Sequence, residues 1–194
     1  MREQFLAEIG EHEAVIASLR GLAPAFEGVA EALAGCLGRG GKVLLCGNGG
    51  SAADAQHLAA ELVGRFRQHR APLAAIALTT DSSILTSVAN DYDYAAVFSR
   101  QVEALGRHGD ALIGISTSGR SPNVIAALAA ARGLGLVTVG LLGGDGGPAA
   151  ALCDHVLRVD CRDTARIQEA HILIGHALCG ALETRFADLP EVAR

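Results

Sequence analysis

The chain has 194 residues, of which 50% are hydrophobic and 19% charged, and a formal net charge of -5. That length suits one domain with a sizeable core, and so low a charged fraction implies much buried surface, some of it between subunits. The acidic balance, with a pI near 5.8, excludes a broad nucleic-acid footprint, so an anionic ligand needs local help from helix N-termini, hydroxyls or a metal.

Residues 1–39 read as helical, and Leu22, Phe26, Val29, Leu33 and Leu37 recur at helical spacing on one face. The start, MREQFLAEIGEHEA, is amphipathic and has no apolar signal core. GRGG at 38–41 ends this region, and KVLLCG at 42–47 is a short apolar run closed by glycine, the pattern of a buried parallel strand. Residues 74–78, 110–116, 136–142 and 155–159 repeat that pattern, with helical segments between them and a last helix over 164–186. Strands alternating with helices predict an α/β fold, a five-stranded parallel sheet of flavodoxin-like order covered on both faces. We read 1–194 as a single domain with an N-terminal helical extension, 1–39, used in oligomerisation.

Five cysteines without a CxxC pair read as reduced thiols. No stretch reaches the about 18 uninterrupted apolar residues of a membrane span, and Arg132 breaks the best candidate. The expectation is a cytoplasmic protein without membrane or nucleic-acid partners.

In such sheets ligands bind beyond the carboxyl ends of the strands, and two of those ends carry glycine- and serine-rich turns. The first, Gly47-Asn48-Gly49-Gly50-Ser51-Ala52, can be read as G-x-G-x-x-A, with Asp81 as the acid for a ribose. Glycine turns after strands are common, and that reading is weak. In the second, ISTSGRSPNV, Ser116, Thr117, Ser118 and Ser121 place four hydroxyls within six residues at the start of a helix. Hydroxyls and free N–H groups at a helix N-terminus suit a phosphate monoester, and Pro122 suits the first helical turn. For any single serine an ordinary N-cap is the simpler account; the cluster favours a phosphate. No G-x-x-x-x-G-K-[ST] points to a nucleoside triphosphate. In the helix after the first turn, His57 and Glu61 share a face at i and i+4, which suits either a solvated contact or a metal.

GNGGSAADAQHLAAEL (47–62), SVANDY (87–92), GISTSGRSPNV (114–124) and RIQEAHILIGH (166–176) together resemble the sugar isomerase (SIS) family, in the same order and over nearly the whole chain. The resemblance implies an aldose–ketose isomerase for a seven-carbon sugar phosphate. It would convert sedoheptulose 7-phosphate to D-glycero-D-manno-heptose 7-phosphate through an enediol, the first step toward activated heptose precursors. It further implies one Zn2+ per subunit on His57, Glu61, Gln168 and His176, with Glu61 and His176 as the acid/base pair. Asn48, Gly49, Gly50, Ser51, Glu61, Asn90, Asp91, Ser116, Thr117, Ser118, Ser121 and Gln168 would bind substrate. The alternatives are a catalytically silent regulator of the same fold that binds a replication-initiator protein, and an isomerase for another sugar phosphate. Glu61 and His176 argue against the first, because a scaffold needs no acid/base pair.

Several neighbours of these residues have plainer readings. Asp54 favours the helix dipole or orients the His57 ring, Arg65 is a surface ion-pair partner of Glu61, and His171 is packed or interfacial. His12, His69, His108 and His155 have no constellation around them. Gln168 and His176 lie about 12 Å of rise apart on one straight helix, too far to share an ion. Either the helix begins after Gln168, or the two come from different chains. We expect different chains, in a homotetramer, or at least a dimer, whose active sites lie at subunit interfaces, and mixing Glu61 and His176 variants would show whether that pair meets across a boundary.

Overall fold

The computed structural model describes residues 1–187; residues 188–194, the end of the domain read from the sequence, lie outside the described residues. Five parallel strands form one sheet in the order β2-β1-β3-β4-β5: β1 Val43–Gly47, β2 Ala75–Ala77, β3 Ala111–Ser116, β4 Val137–Gly143 and β5 His155–Val159. All five expected strands are present, and their order is the flavodoxin-like one.

Strand sequences explain the layers. Side chains alternate across a strand, and β1 and β3 are buried along their whole length. Val43, Leu45, Ile113 and Ile115 enter the core on one face, while Leu44, Cys46 and Leu112 enter the core on the other. The first face is covered by α2 (Ala23–Gly38), α3 (Gly50–Val63) and α7 (Thr164–Arg185), through Val29, Leu33, Leu58, Leu62, Ile174 and Leu178. The second is covered by α5 (Ser99–Leu105) and α6 (Pro122–Gly133), through Val102 and Leu128. α4 (Ser82–Asp91) is capped by Asp81, whose carboxylate accepts from the Ile84 N–H at 2.9 Å. Asp81 therefore serves a helix, and the dinucleotide reading loses its ribose acid.

The N-terminal helices divide in role. α2 buries Val29, Leu33 and Cys36 and belongs to the core. α1 (Arg2–Ser18) has no fully buried residue, packs only Val15 and Ile16 of its last turns against the core, and leaves Phe5 and Leu6 exposed. Polar contacts join it to α7: Arg166 reaches Glu8 at 2.8 Å, and His12, read as isolated, pairs with Glu169 at 2.8 Å. Among the described residues no helix is long and apolar enough to cross a membrane, and all five cysteines are free.

After β1 the chain steps outward to β2, then crosses back to β3 on the other side of β1. Such a reversal opens a crevice between the carboxyl ends of β1 and β3, where the two turns fall.

Candidate active site

Both turns are built for close backbone approach. After β1, Gly49 takes φ +56, and α3 starts at Gly50 with no side-chain cap; the N–H groups of Ser51 and Ala52 turn back to the carbonyls of Asn48 and Gly49 at 3.0 Å, which leaves the Gly50 N–H facing the turn. Ser51 is buried beneath this turn. After β3, Ser116 is buried, its hydroxyl 3.1 Å from that of Ser121 and accepting from the Gly119 N–H at 3.1 Å. Ser118 accepts from the Arg120 N–H at 3.2 Å. Ser121 stands at the N-cap of α6, yet its hydroxyl makes no cap bond and turns to Ser116. The simple capping account of this serine fails.

The two turns are fastened by Asn48, expected at the substrate, and by Asn123 and Tyr94, which the residue pattern had not singled out. Asn48 and Asn123 exchange reciprocal amide bonds of 2.8 Å, and the Tyr94 hydroxyl donates to Asn48 at 3.2 Å. A signal existed for Tyr94: the chain has two tyrosines, both in the DYDY that follows Asn90. Asn90 and Asp91 bond to each other at 2.8 Å on the exposed end of α4, and no hydrogen bond ties them to either turn. A cleft of about 700 Å³ opens beside the second turn, lined by Thr117, Ser118, Arg120, Arg158 and Arg162. Asp145 and Asp160 share this lining and pair with Arg120 and Arg158 at 2.6 and 3.4 Å, so the local surplus of positive charge is small.

The other half of the site comes from α3 and α7, which lie side by side and run in the same direction. Gln168 faces Gly50, where a Cβ would sit 2.5 Å from its amide nitrogen. One stage further along, Gly175 makes room for Leu58, and the Nε2 atoms of His57 and His176 lie 2.8 Å apart. Glu61 adjoins them, 3.6 Å from His57. Beyond, Phe66 stacks on the His176 ring at a centroid distance of 5.4 Å.

This register narrows how the site is put together. α7 is one continuous helix through both Gln168 and His176, so it does not begin after Gln168. His57 and His176 meet within a single chain, so Glu61 does not need a neighbour's His176. Parallel packing of α3 and α7 brings His57 to His176 but leaves Gln168 apart from them. The distance argument itself holds, because Gln168 stands two turns away, at the mouth of the first loop. Arg65 is exposed, and the His57 ring lies against the Glu61 carboxylate at 3.6 Å.

Asp54 has a buried oxygen without a hydrogen-bond partner; burial raises its pKa and His57 lowers it. His171 is fully buried beside the Leu142 backbone, with no well-aligned partner for either ring nitrogen, and burial pushes its pKa down to about 4. It is a packing residue. Burial also pushes the thiol of Cys36 up to about 11 and those of Cys46, Cys153 and Cys179 up to about 12, so none of these is a thiolate nucleophile at neutral pH. Among the described residues, no three His, Cys, Asp or Glu side chains close into a metal cage. Two imidazole nitrogens converge beside one carboxylate, a donor chemistry that suits zinc.

A hydroxyl-lined turn at a helix start and, further along α3, a carboxylate beside two imidazoles are the parts an enzyme needs to hold a phosphate and move protons. The class it defines is the sugar-phosphate isomerases. The model of the SIS domain matches residues 9–143. The chain is 55% identical to the phosphoheptose isomerase of Geotalea daltonii over 95% of its length and 97% of the relative's. It is 56% identical to that of Paramagnetospirillum magneticum over 91% of its length and 92% of the relative's. A phosphoheptose isomerase structure from Neisseria gonorrhoeae superposes with a TM-score of 0.90 at 47% identity, covering 94% of this chain and 98% of that one. The chain belongs to the phosphoheptose isomerase family of SIS-domain proteins and is a sugar-phosphate isomerase.

Proposed function

We propose that this chain interconverts sedoheptulose 7-phosphate and D-glycero-D-manno-heptose 7-phosphate by acid/base proton transfer. The observation that carries the reading is the meeting of His57, Glu61 and His176 in one chain, where α3 leads away from the first turn. The names of the relatives supply the seven-carbon substrate.

Isomerisation moves a proton between C1 and C2. A base removes a C1 proton, the C1–C2 double bond forms, and the C2 oxygen takes a proton to give the enediol. C2 then takes a proton while the hydroxyl on C1 loses one, and the aldehyde results. Glu61 and His176 share these transfers, Glu61 at carbon and His176 at oxygen. Ser51, Ser116, Ser118 and Ser121, with the N–H groups of Gly50 and Asn123 at the starts of α3 and α6, hold the phosphate. Asn48 and Gln168 line the path between phosphate and proton-transfer groups, and Asn90 and Asp91 bind sugar hydroxyls. Zinc bound to His57, Glu61 and His176 would polarise the two reacting oxygens as a Lewis acid. Gln168 would join that ion from a second copy of the chain, since its own lies about 12 Å of rise from His176. A homotetramer assembled partly through the exposed apolar side of α1 would supply the copy. We place this activity in the cytoplasm, feeding heptose precursors for bacterial surface glycans.

The decisive assay compares turnover of sedoheptulose 7-phosphate with that of five- and six-carbon ketose phosphates. Higher kcat/KM for a shorter substrate would assign the chain to another sugar. Treatment with a strong chelator should abolish most activity and added zinc should restore it; full activity after metal removal would end the zinc proposal. Ser118→Ala or Ser121→Ala should raise KM roughly ten- to hundredfold with kcat little changed, because a hydrogen bond to a charged group contributes about 1.5–3 kcal/mol and the phosphate is held alike in ground and transition states. A fall in kcat at constant KM would count against that role. Because the pair meets within one chain, mixing Glu61→Gln with His176→Gln under subunit exchange should leave activity at background. Recovery to about a quarter, the random product of one half and one half, would place the pair across an interface.

A further inference from the structure

The segment between α3 and β2 is irregular, yet one stretch of it is tied down more firmly than loop closure needs. The Glu183 carboxylate, 3% exposed on α7, accepts from three successive backbone N–H groups. Phe66 donates at 3.0 Å, Arg67 at 2.9 Å and Gln68 at 2.9 Å. Burial would raise the pKa of that carboxyl, but the three donors hold it below the usual range. Arg70 closes the same segment from below. Its fully buried guanidinium donates to the carbonyls of Leu62 and Ala71 at 2.8 and 2.9 Å, and to that of Glu61 at 2.8 Å. Glu183 lies 3.9 Å from its Nε. Burying two charges is costly unless each is paired and hydrogen-bonded, and here both are spent on one short loop.

Between these anchors stands Phe66. Its ring lies on the His176 imidazole with an interplanar angle of 22°, and the Arg67 guanidinium covers it at 4.8 Å. The His176 ring meets His57 nearly edge-on, at 74°, with the nitrogens 2.8 Å apart. A histidine χ2 torsion is broad, so side-chain preference alone does not set the plane of the ring. A stacked neighbour does, provided that neighbour is itself fixed.

We propose that Phe66 is a positioning residue for the isomerisation, locking the His176 ring in the plane that meets His57, and that Glu183 and Arg70 act through it by immobilising its backbone. The proposal rests on the acid/base role assigned to His176. Arg70 also holds the carbonyl of Glu61, so one clasp steadies both members of the pair. The spacing in sequence hides it, since Phe66 and Glu183 are 117 residues apart.

The test uses Phe66→Leu, Phe66→Tyr and Glu183→Gln in the full chain, read by kcat, KM, thermal melting and the His176 ring resonances in 1H–13C spectra. Phe66→Leu should remove the ring-current shift on His176 and lower kcat roughly tenfold to hundredfold, as small misplacements of reacting groups do, with KM within about twofold. Phe66→Tyr, which keeps the aromatic face, should restore both. Glu183→Gln should move the same His176 resonances although it touches neither ring; if it fails to fold, the Phe66 pair decides alone. Unmoved His176 resonances in Phe66→Leu, or a kcat within twofold of the parent, overturn the proposal. A parent chain inactive on every ketose phosphate instead sinks the isomerase reading, while the resonances still show whether Phe66 sets the ring.

Discussion

Replacing Glu61 by Gln is expected to lower kcat by about two to four orders of magnitude, the range for losing a positioned acid/base group. The amide matches the carboxylate in volume, and the Glu61 side chain is 21% exposed, so no charge is stranded in a dry core. The backbone carbonyl held by Arg70 is untouched by the change. Melting should therefore stay close to that of the parent, which separates lost chemistry from lost fold. A kcat within tenfold of the parent, in a folded variant, would remove Glu61 from the proton transfers.

A second large effect is expected at Gly119, from a residue with no side chain. Its φ of +63 is in the left-handed region, where an L side chain costs roughly 1–2 kcal/mol. A Cβ there would also collide with the Gly146 carbonyl, which is backbone and cannot swing aside. Gly119→Ala should lower the melting temperature and raise KM more than either serine change, because the turn that carries Ser116, Ser118 and Ser121 must shift. Gly109→Ala is the control: it shares a positive φ of +87 but meets nothing within 4 Å. If Gly119→Ala and Gly109→Ala melt alike and Gly119→Ala keeps the parent KM, the close packing of the turn is not what shapes the phosphate site.

Much of this architecture was legible in the residues. Apolar runs such as Val43–Gly47 and Ala111–Ser116 are buried on both sides, so their pattern depends on burial alone and survives translation into strands. The serine turn was legible as a turn, since β3 ends at Ser116 and α6 starts at Pro122, as the hydroxyl-rich stretch before a proline suggested. What stayed hidden depends on which helices touch. Gln168 and His176 were rightly judged too far apart to share one ion, but no periodicity says that α3 and α7 run parallel and bring His57 to His176. Asn123 looked like any residue after Pro122 until its amide met Asn48 across the crevice. Arg158 and Arg162 follow from where β5 ends relative to β3, which is a property of the sheet order.

The central claim is that this chain isomerises a seven-carbon sugar phosphate through Glu61 and His176. The most direct measurement follows purified protein with sedoheptulose 7-phosphate by NMR, with and without added zinc, beside Glu61→Gln at the same concentration. The account predicts that D-glycero-D-manno-heptose 7-phosphate accumulates with the parent chain and stays near background with the variant. No aldoheptose from the folded parent under either condition, or equal amounts from parent and variant, would contradict it.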